Sequence, residues 1–199
     1  MKNSRQQSAF RIKSRLPRHE RAFTLYDALV TLTVVSTVTT VAVPSFQQLI
    51  SSQRMSGAVN SLVTALNLTR SETIKRGERA VLCPSSDGRA CRGNSAGGTA
   101  WEEGYLIYID RNGNHEFDAD EIAVRMFGAT EGLHIRSSAH RDHVTYQPNG
   151  MASGSNITFT FCDKHGRGVP RAVIVSNSGR PRTSTRDANG GAISCPTTP

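Results

Sequence analysis

The run from Phe23 to Val43 constrains this chain more than any other feature, because Asp27 is its only charged residue. As an α-helix the run is about 32 Å long, close to the roughly 30 Å hydrocarbon core of a bilayer. The Lys and Arg residues that precede it favour a cytoplasmic location for the front end. The sequence therefore predicts one membrane-spanning helix, with the following domain on the opposite side of the membrane.

An acid within a membrane span is costly, so Asp27 is expected to be functional and to have a cationic partner. No cation follows it within one helical turn. The candidate partner is the amine that cutting the chain just before Phe23 would create, on a neighbouring copy. A cleavable secretory signal is the alternative, but VAVPSF is followed by a further helical pattern and not by a loop.

The net charge of +8 is unevenly distributed along the chain. Residues 1–22 carry 7 − 1 = +6, residues 23–162 carry 11 − 13 = −2, and residues 163–199 carry 6 − 2 = +4. The basic residues of this tail are Lys164, Arg167, Arg171, Arg180, Arg182 and Arg186. A polyanion such as nucleic acid is therefore expected to bind at the tail.

All four cysteines follow the apolar run. An even number of cysteines beyond a membrane segment favours disulfides in an oxidising compartment. Zinc is the alternative, but no two cysteines have the C-x-x-C spacing. Pairing by proximity joins Cys83 to Cys91 and Cys162 to Cys195, and the second bridge would hold the basic tail in one closed loop.

Apolar residues keep helical spacing beyond Val43, and this pattern predicts a helix that continues to Gly77. Its members are Phe46, Leu49, Ile50, Met55, Val59, Leu62, Val63, Leu66 and Ile74. The predicted helix has a membrane-spanning half, residues 23–43, and an amphipathic half, residues 44–77.

Residues 78–199 are predicted to form a β-rich head. Short segments rich in β-branched and aromatic residues alternate with Gly-, Asn- and Ser-containing turns. The segments are RAVLC, GYLIYID, EIAVRMF, LHIR, HVTYQ, NITFTF and RAVIVS, and residues 85–98 read as a loop. Seven or eight antiparallel strands against one helix indicate an α+β fold with a basic C-terminal loop.

The front segment RAFTLYDALVTLTVVSTVTTVAVPSF resembles the class III signal of type IV prepilins and type II secretion pseudopilins. The shared features are a basic leader, a small residue, Phe-Thr-Leu, an acid, and Pro44 at the end of the apolar run. The resemblance implies that a prepilin peptidase removes residues 1–22 by cutting between Ala22 and Phe23. It also implies methylation of the new Phe23 amine and a role for Asp27 in filament assembly. Alanine replaces the usual glycine before the cut, and aspartate replaces the usual glutamate.

From residue 22 onward the order of elements is similar to that of minor pilins and pseudopilins of the FimT/GspH type. The segments YIDRNGNHEFDADEIAVR and VIVSNSGRPR are reminiscent of that family. The resemblance implies a pilin-like fold, other pilin or pseudopilin subunits as partners, and a head in the periplasm of a bacterium, anchored in the inner membrane. No nucleophile or phosphate-loop motif is present, so we expect no enzymatic activity, cofactor or small-molecule substrate.

The tail segment SNSGRPRTSTR is the candidate DNA-binding site. Gly179 can supply a positive φ, and Arg180 and Arg182 share a face if the segment is extended, with Arg186 on the same side. Arginine forks suit phosphate oxygens, and the absence of interleaved aromatics favours backbone contact over base stacking. GRPR resembles the Gly-Arg-x-Arg motif of FimT-type pilins, which implies DNA binding during natural transformation. The alternative is a structural pseudopilin of type II secretion that never contacts DNA.

The segment DRNGNHEFDADE, residues 110–121, partly matches a calcium loop. The residues at its ligand positions are Asp110, Asn112, Asn114, Asp118 and Glu121. His115 replaces the sharp-turn glycine, and both flanks read as strands. A hairpin turn whose Asp and Asn side chains cap their own backbone is therefore favoured over calcium. His140 and His143 have no further ligand cluster nearby in sequence, so we expect no metal site.

Overall fold

The computed structural model describes residues 24–92 and 99–195. Within them, one helix is followed by eight strands. The helix α1 is Leu25–Arg76, and the strands are β1 Ala80–Pro84, β2 Tyr105–Ile109, β3 Ile122–Phe127, β4 Leu133–Ser137, β5 Val144–Tyr146, β6 Ile157–Asp163, β7 Arg171–Val175 and β8 Pro181–Ser184. The predicted α+β class, the long helix and all seven strand segments are confirmed. The eighth strand, β8, lies in the tail that was expected to be a loop.

Two compact units divide the chain, Met1–Ala42 and Val43–Pro199. In the first unit, the described part of α1 is exposed and apolar, and α1 is long and apolar enough to cross a membrane. Its threonine hydroxyls donate to carbonyls of the preceding turn, as from Thr33 to Leu29 at 2.6 Å and from Thr37 to Thr33 at 3.0 Å. These bonds satisfy the hydroxyls without water, as a span in hydrocarbon requires.

In the second unit, α1 buries only the middle of its predicted apolar face. Met55, Val59, Leu62 and Leu66 are buried, whereas Phe46, Leu49, Ile50 and Ile74 stay exposed. The apolar face is therefore covered in its middle and open at both ends. The reason is the short reach of the strands, which cover the helix between its buried polar residues, Ser51 and Thr73.

The strands form two four-stranded antiparallel sheets, with the orders β3-β2-β1-β5 and β4-β6-β7-β8. Both sheets and α1 share one core. Leu82 and Ile107 enter it from the first sheet, and Phe159 and Val173 enter it from the second. Trp101 is fully buried there, with its ring edge-on to Phe159 at 4.8 Å between centroids. The head is thus a layered structure organised around one face of the helix.

Two disulfides close loops of the head, and they are the two pairs that proximity predicts. Cys83 is bonded to Cys91 over a separation of 8 residues, and Cys162 to Cys195 over 33. The first bridge ties the loop after β1 to that strand. The second joins the end of β6 to the chain beyond β8, which closes the basic tail.

Candidate functional site

The β7–β8 turn, residues 176–180, is held against the loop that follows β5. Gly179 has a φ of 74°, and its N–H donates to the Ser176 carbonyl at 2.8 Å. The N–H of Ala152 donates to the Asn177 carbonyl at 3.0 Å. A Cβ atom on Gly179 would lie 2.5 Å from the carbonyl oxygen of Gly150. Glycine is therefore required here by both the left-handed backbone and the close approach.

The residues after Gly179 hold two arginines in an extended backbone. Arg180 precedes a proline, which disfavours the helical region and leaves extended conformations. Pro181 opens β8, an edge strand, where a missing N–H is tolerated. Arg182 follows in the strand opposite Ile174. Side chains two residues apart in such a backbone point to one side, about 6–7 Å apart.

Arg180 and Arg182 are exposed and available to an external ligand. Among residues 24–92 and 99–195, neither guanidinium has a hydrogen-bond or ion-pair partner. Arg171, also exposed, begins β7 and so lies at the end of the β7–β8 hairpin away from the turn. Arg186 lies beyond β8 at that same end, where its Nη1 donates to the Gly190 carbonyl at 2.9 Å.

The β6–β7 loop, residues 164–170, is attached to α1. Nη1 of Arg167 donates to Oε1 of Gln47 at 2.8 Å, and the Ser51 hydroxyl donates to Oδ2 of Asp163 at 2.5 Å. Oδ1 of Asp163 accepts the N–H groups of His165 at 2.7 Å and Arg167 at 3.3 Å. Sequence reasoning missed this anchor, because Gln47 and Ser51 carry no motif and the contacts join residues more than a hundred positions apart.

Asp163 is the charged centre of that anchor. Burial raises its pKa, but the hydrogen bonds from the Ser51 hydroxyl and from the N–H groups of His165 and Arg167 outweigh burial, so the pKa lies below its ordinary value. The carboxylate therefore stays ionised at neutral pH and keeps the loop closed on the helix.

The structure does not bring the predicted DNA-binding residues together. At the turn, Gly179 approaches Gly150, and Gly150 in turn approaches Arg70 and Ile74 near the C-terminal end of α1. Lys164 and Arg167 lie at the other end of the head, beside Gln47. The helix rises about 35 Å between Gln47 and Arg70. The tail thus presents two separate basic ends. In the chain, Arg171 lies between these two groups and Arg186 follows the second.

At the start of α1, Thr24 and Asp27 cap the helix together. Its Oδ2 accepts the N–H of Thr24 at 3.2 Å and the Thr24 hydroxyl at 2.8 Å, and the N–H of Asp27 donates back to that hydroxyl oxygen at 3.2 Å. This is a reciprocal capping box. Ala22 and Phe23, where cleavage and methylation are predicted, lie outside the described residues.

Residues 110–121 form the connection of the β2–β3 hairpin, with the self-capping side chains that the hairpin interpretation predicts. Asp110 accepts the N–H of Gly113 at 2.6 Å, and Asn112 accepts that of Asn114 at 3.0 Å. Nη1 of Arg79 lies 3.7 Å from Oδ2 of Asp110. In the described ranges, no three or more His, Cys, Asp and Glu side chains are grouped so as to hold a metal ion.

His115, with a φ of 64°, stacks its ring on that of His143 at 4.6 Å between centroids. Nδ1 of His143 is 2.7 Å from the Asp142 carboxylate. Burial, and then the neighbouring His143, lower the pKa of His115, so its ring is neutral at pH 7. In the described part of the chain, His143 thus contacts the ring of His115 and the carboxylate of Asp142.

A long N-terminal helix, apolar in its first half and packed on antiparallel sheets in its second, defines a pilin-like protein. The family model described as "Type II transport protein GspH" matches residues 58–179, more than half of the chain. The chain therefore belongs to the GspH family, whose members are minor pilins and pseudopilins and have a structural role, not an enzymatic one. Membership implies other pilin subunits and a prepilin peptidase as partners.

Two individual proteins are similar to this chain. The pilin-like protein PilA1 of Thermus thermophilus is 27% identical over 170 residues, which are 81% of this chain and 97% of PilA1. The crystal structure of the type IV minor pilin FimU of Pseudomonas aeruginosa superposes with a TM-score of 0.51 at 19% identity. That similarity covers 66% of this chain and 89% of FimU, and it supports the pilin-like fold.

Proposed function

We propose that this protein is a minor pilin that binds DNA non-specifically at its β7–β8 turn, for uptake in natural transformation. The observation that carries the proposal is the pair Arg180 and Arg182, exposed and without side-chain partners in the described ranges. Gly179 and Pro181 hold their backbone in one conformation, so little ordering is required on binding. Guanidinium forks in this arrangement suit successive phosphate oxygens.

Phosphate contact explains why the site needs no base readout. No aromatic side chain lies between Ser176 and Asp187 on which a base would stack. Arg171 and Arg186 extend the positive potential along the hairpin. Lys164 and Arg167 lie at the opposite end of the head, so we leave them out of the DNA surface. Retraction of a filament that carries this subunit would then draw the bound DNA inward.

Replacing both arginines, Arg180→Gln with Arg182→Gln, is expected to weaken duplex DNA binding by about tenfold or more. The slope of log affinity against log salt concentration should decrease by roughly 2, since two phosphate contacts are lost. Fluorescence anisotropy of labelled DNA over a salt series measures both quantities. The matched control, Lys164→Gln with Arg167→Gln, removes the same charge at the other end and should change little. Equal weakening by both pairs would show that net charge, and not the turn, binds DNA.

The second candidate is a structural pseudopilin of type II secretion, which the description of the matching family favours. The two functions separate in a deletion strain complemented with the Arg180→Gln, Arg182→Gln protein. Loss of transformation with intact filaments supports DNA binding. A secretion defect on deletion that the variant fully restores supports the structural role.

We further propose that the chain is a single-pass protein of the bacterial inner membrane, cut between Ala22 and Phe23 and methylated on the new amine. The head then lies in the periplasm, an oxidising compartment that suits both disulfides. Asp27 would leave its contact with Thr24 to neutralise the Phe23 amine of a neighbouring subunit within the filament.

We expect Asp27→Ala to prevent incorporation into filaments, because the neighbouring amine would then be buried in apolar surroundings without a counter-charge. Asp27→Glu, the matched control, keeps the charge and should assemble. Immunoblots of sheared filaments against total membranes measure the incorporated fraction. The N-terminal mass of the membrane-purified protein reports the cut and the methyl group. A chain that begins elsewhere than Phe23, or normal assembly of Asp27→Ala, contradicts the proposal.

A further inference from the structure

Arg70 is a cation of α1 that the basic tail does not include. It is partly exposed, and in the described part of the chain its guanidinium has neither a hydrogen bond nor an ion pair. None of its nitrogens is buried without a partner, so the guanidinium is open to solvent. It borders an open depression of about 440 Å³ on the surface of the helix. An external group can therefore approach it.

Gly150 is the residue between Arg70 and the β7–β8 turn. A Cβ atom on Gly150 would lie 3.1 Å from Nε of Arg70 and 2.8 Å from Cδ1 of Ile74. The carbonyl oxygen of Gly150 would in turn lie 2.5 Å from a Cβ atom on Gly179. Only the backbone of one residue therefore separates the Arg70 side chain from Gly179, which Arg180 follows directly.

The Tyr146 ring is a second neighbour that Arg70 and the turn share. Its Cε1 would lie 2.9 Å from a Cβ atom on Gly179. Burial raises the pKa of Tyr146 well above its ordinary value, and the positive charge of Arg70 opposes that rise. The Tyr146 hydroxyl has no hydrogen-bond partner among the described residues, so it does not hold the guanidinium. Arg70 is thus close to the ring against which the turn packs.

The segments around Arg70 and the turn contain no acid. Residues 147–156, which include Gly150, and residues 176–186, which include the turn, have neither Asp nor Glu. The neighbours of Arg70 on the helix surface, three and four positions away, are uncharged: Leu66, Asn67, Thr73 and Ile74. Arg70, Arg180 and Arg182 therefore form a local excess of positive charge.

The nearest acids are already paired with other cations. Glu72 lies two positions from Arg70, which on a helix does not face it, and it accepts from Nε of Arg76 at 2.7 Å. Glu78 lies 3.4 Å from Nε of Arg111. Arg70 is thus left for an external anion.

We propose that Arg70 is a third phosphate-binding residue at the β7–β8 turn, so that the DNA site spans α1 and the hairpin. The inference rests on the DNA binding proposed above and adds to it a residue from outside the tail. Gly150 and Gly179 keep the two elements close, and no ion pair has to break before Arg70 binds. Phosphate contacts from two elements fix the orientation of the DNA on the head.

Arg70→Gln in the full chain is expected to weaken the binding of labelled duplex DNA about threefold. The slope of log affinity against log salt concentration should decrease by roughly 1, for one lost phosphate contact. The matched control is Arg54→Gln, which removes the same charge from an exposed position about 24 Å earlier along the helix and should change neither quantity. Arg70→Lys keeps the charge and should keep the slope, although it lacks the guanidinium fork.

A gain of charge tests the same surface without removing Arg70. Asn67→Lys, at an exposed position one turn before Arg70, should tighten DNA binding and steepen the salt dependence. Gln53→Lys, at an exposed position beside Arg54, is its control and should do neither. This pair of variants decides the question even where Arg70→Gln does not fold, as the fluorescence of the buried Trp101 would report.

The failure of this inference is distinct from the failure of the proposed function. Equal weakening by Arg70→Gln and Arg54→Gln, an equal loss of slope in Arg70→Lys and Arg70→Gln, or an equal gain from both added lysines overturns the role of Arg70. Unchanged binding in Arg70→Gln, while Arg180→Gln with Arg182→Gln weakens it, overturns that role and leaves the turn as the DNA site. A chain that binds no DNA, or whose affinity the arginine pair does not change, overturns both proposals.

Discussion

Replacing Cys162 and Cys195 with serine is expected to lower the free energy of unfolding of the head by about 3–4 kcal/mol. The bridge spans a separation of 33 residues, and its loss returns that loop entropy to the unfolded chain. The bridge also holds the C-terminal tail against the head. It is needed for this because β8 is an edge strand that pairs only with β7. Without it, the segment beyond Ser184 has little else to fix it in place.

Denaturant unfolding of the full chain in detergent, followed by the fluorescence of the buried Trp101, measures this loss. The matched control replaces both Cys83 and Cys91 with serine. Their bridge spans a separation of only 8 residues, so its removal should lower the free energy of unfolding by about 2.5 kcal/mol. A larger loss for the short loop would contradict the entropic explanation. A loss below about 1 kcal/mol for the long one would show that the unfolded tail is already compact.

Gly179→Ala is expected to destabilise the head by about 3 kcal/mol. A left-handed backbone costs a residue with a Cβ roughly 1–2 kcal/mol, and the rest comes from overlap of the new methyl group. That methyl group would lie 2.5 Å from the Gly150 oxygen and 2.9 Å from the Tyr146 ring. Because one obstacle is backbone, the turn itself must move.

The control for Gly179→Ala is Gly190→Ala. Gly190 also has a positive φ, 84°, but a Cβ there meets nothing within 4 Å. The difference between the two variants in denaturant unfolding is therefore the cost of the close approach. We expect Gly179→Ala also to weaken DNA binding, since Arg180 moves with the turn. Weaker DNA binding at unchanged stability would instead make Gly179 a direct contact residue.

The structure confirms those predictions that depend on neighbouring residues. The helix ends at Arg76 followed by Gly77, whose φ is 68°, because basic residues and a glycine favour termination. The seven strand segments form where alternating and β-branched residues predict them. The nearer cysteine partners in sequence are the bonded ones, in part because short loops close most readily.

Other features depend on distant parts of the chain. Strand patterns show which residues turn inward, but they do not show that β4 pairs with β6 and so creates a second sheet. The helical pattern places Phe46 and Ile74 on the apolar face of the helix. They are nevertheless exposed, because the sheets do not extend far enough along the helix to cover them. The tail composition shows six cations, and only the folded head separates Arg167 from Arg180.

The sequence alone thus predicts the local features of this protein. These are the positions of the helix and strands, the apolar run with its single acid, and the glycine turn that carries two arginines. Backbone sterics and hydrophobic periodicity act over a few residues, so a short stretch of sequence is enough to recognise them. The partition of the basic tail into two ends was decided by folding alone. It depends on contacts such as Ser51 with Asp163 and Gln47 with Arg167, across 112 and 120 positions, which form only once both sheets have packed on the helix.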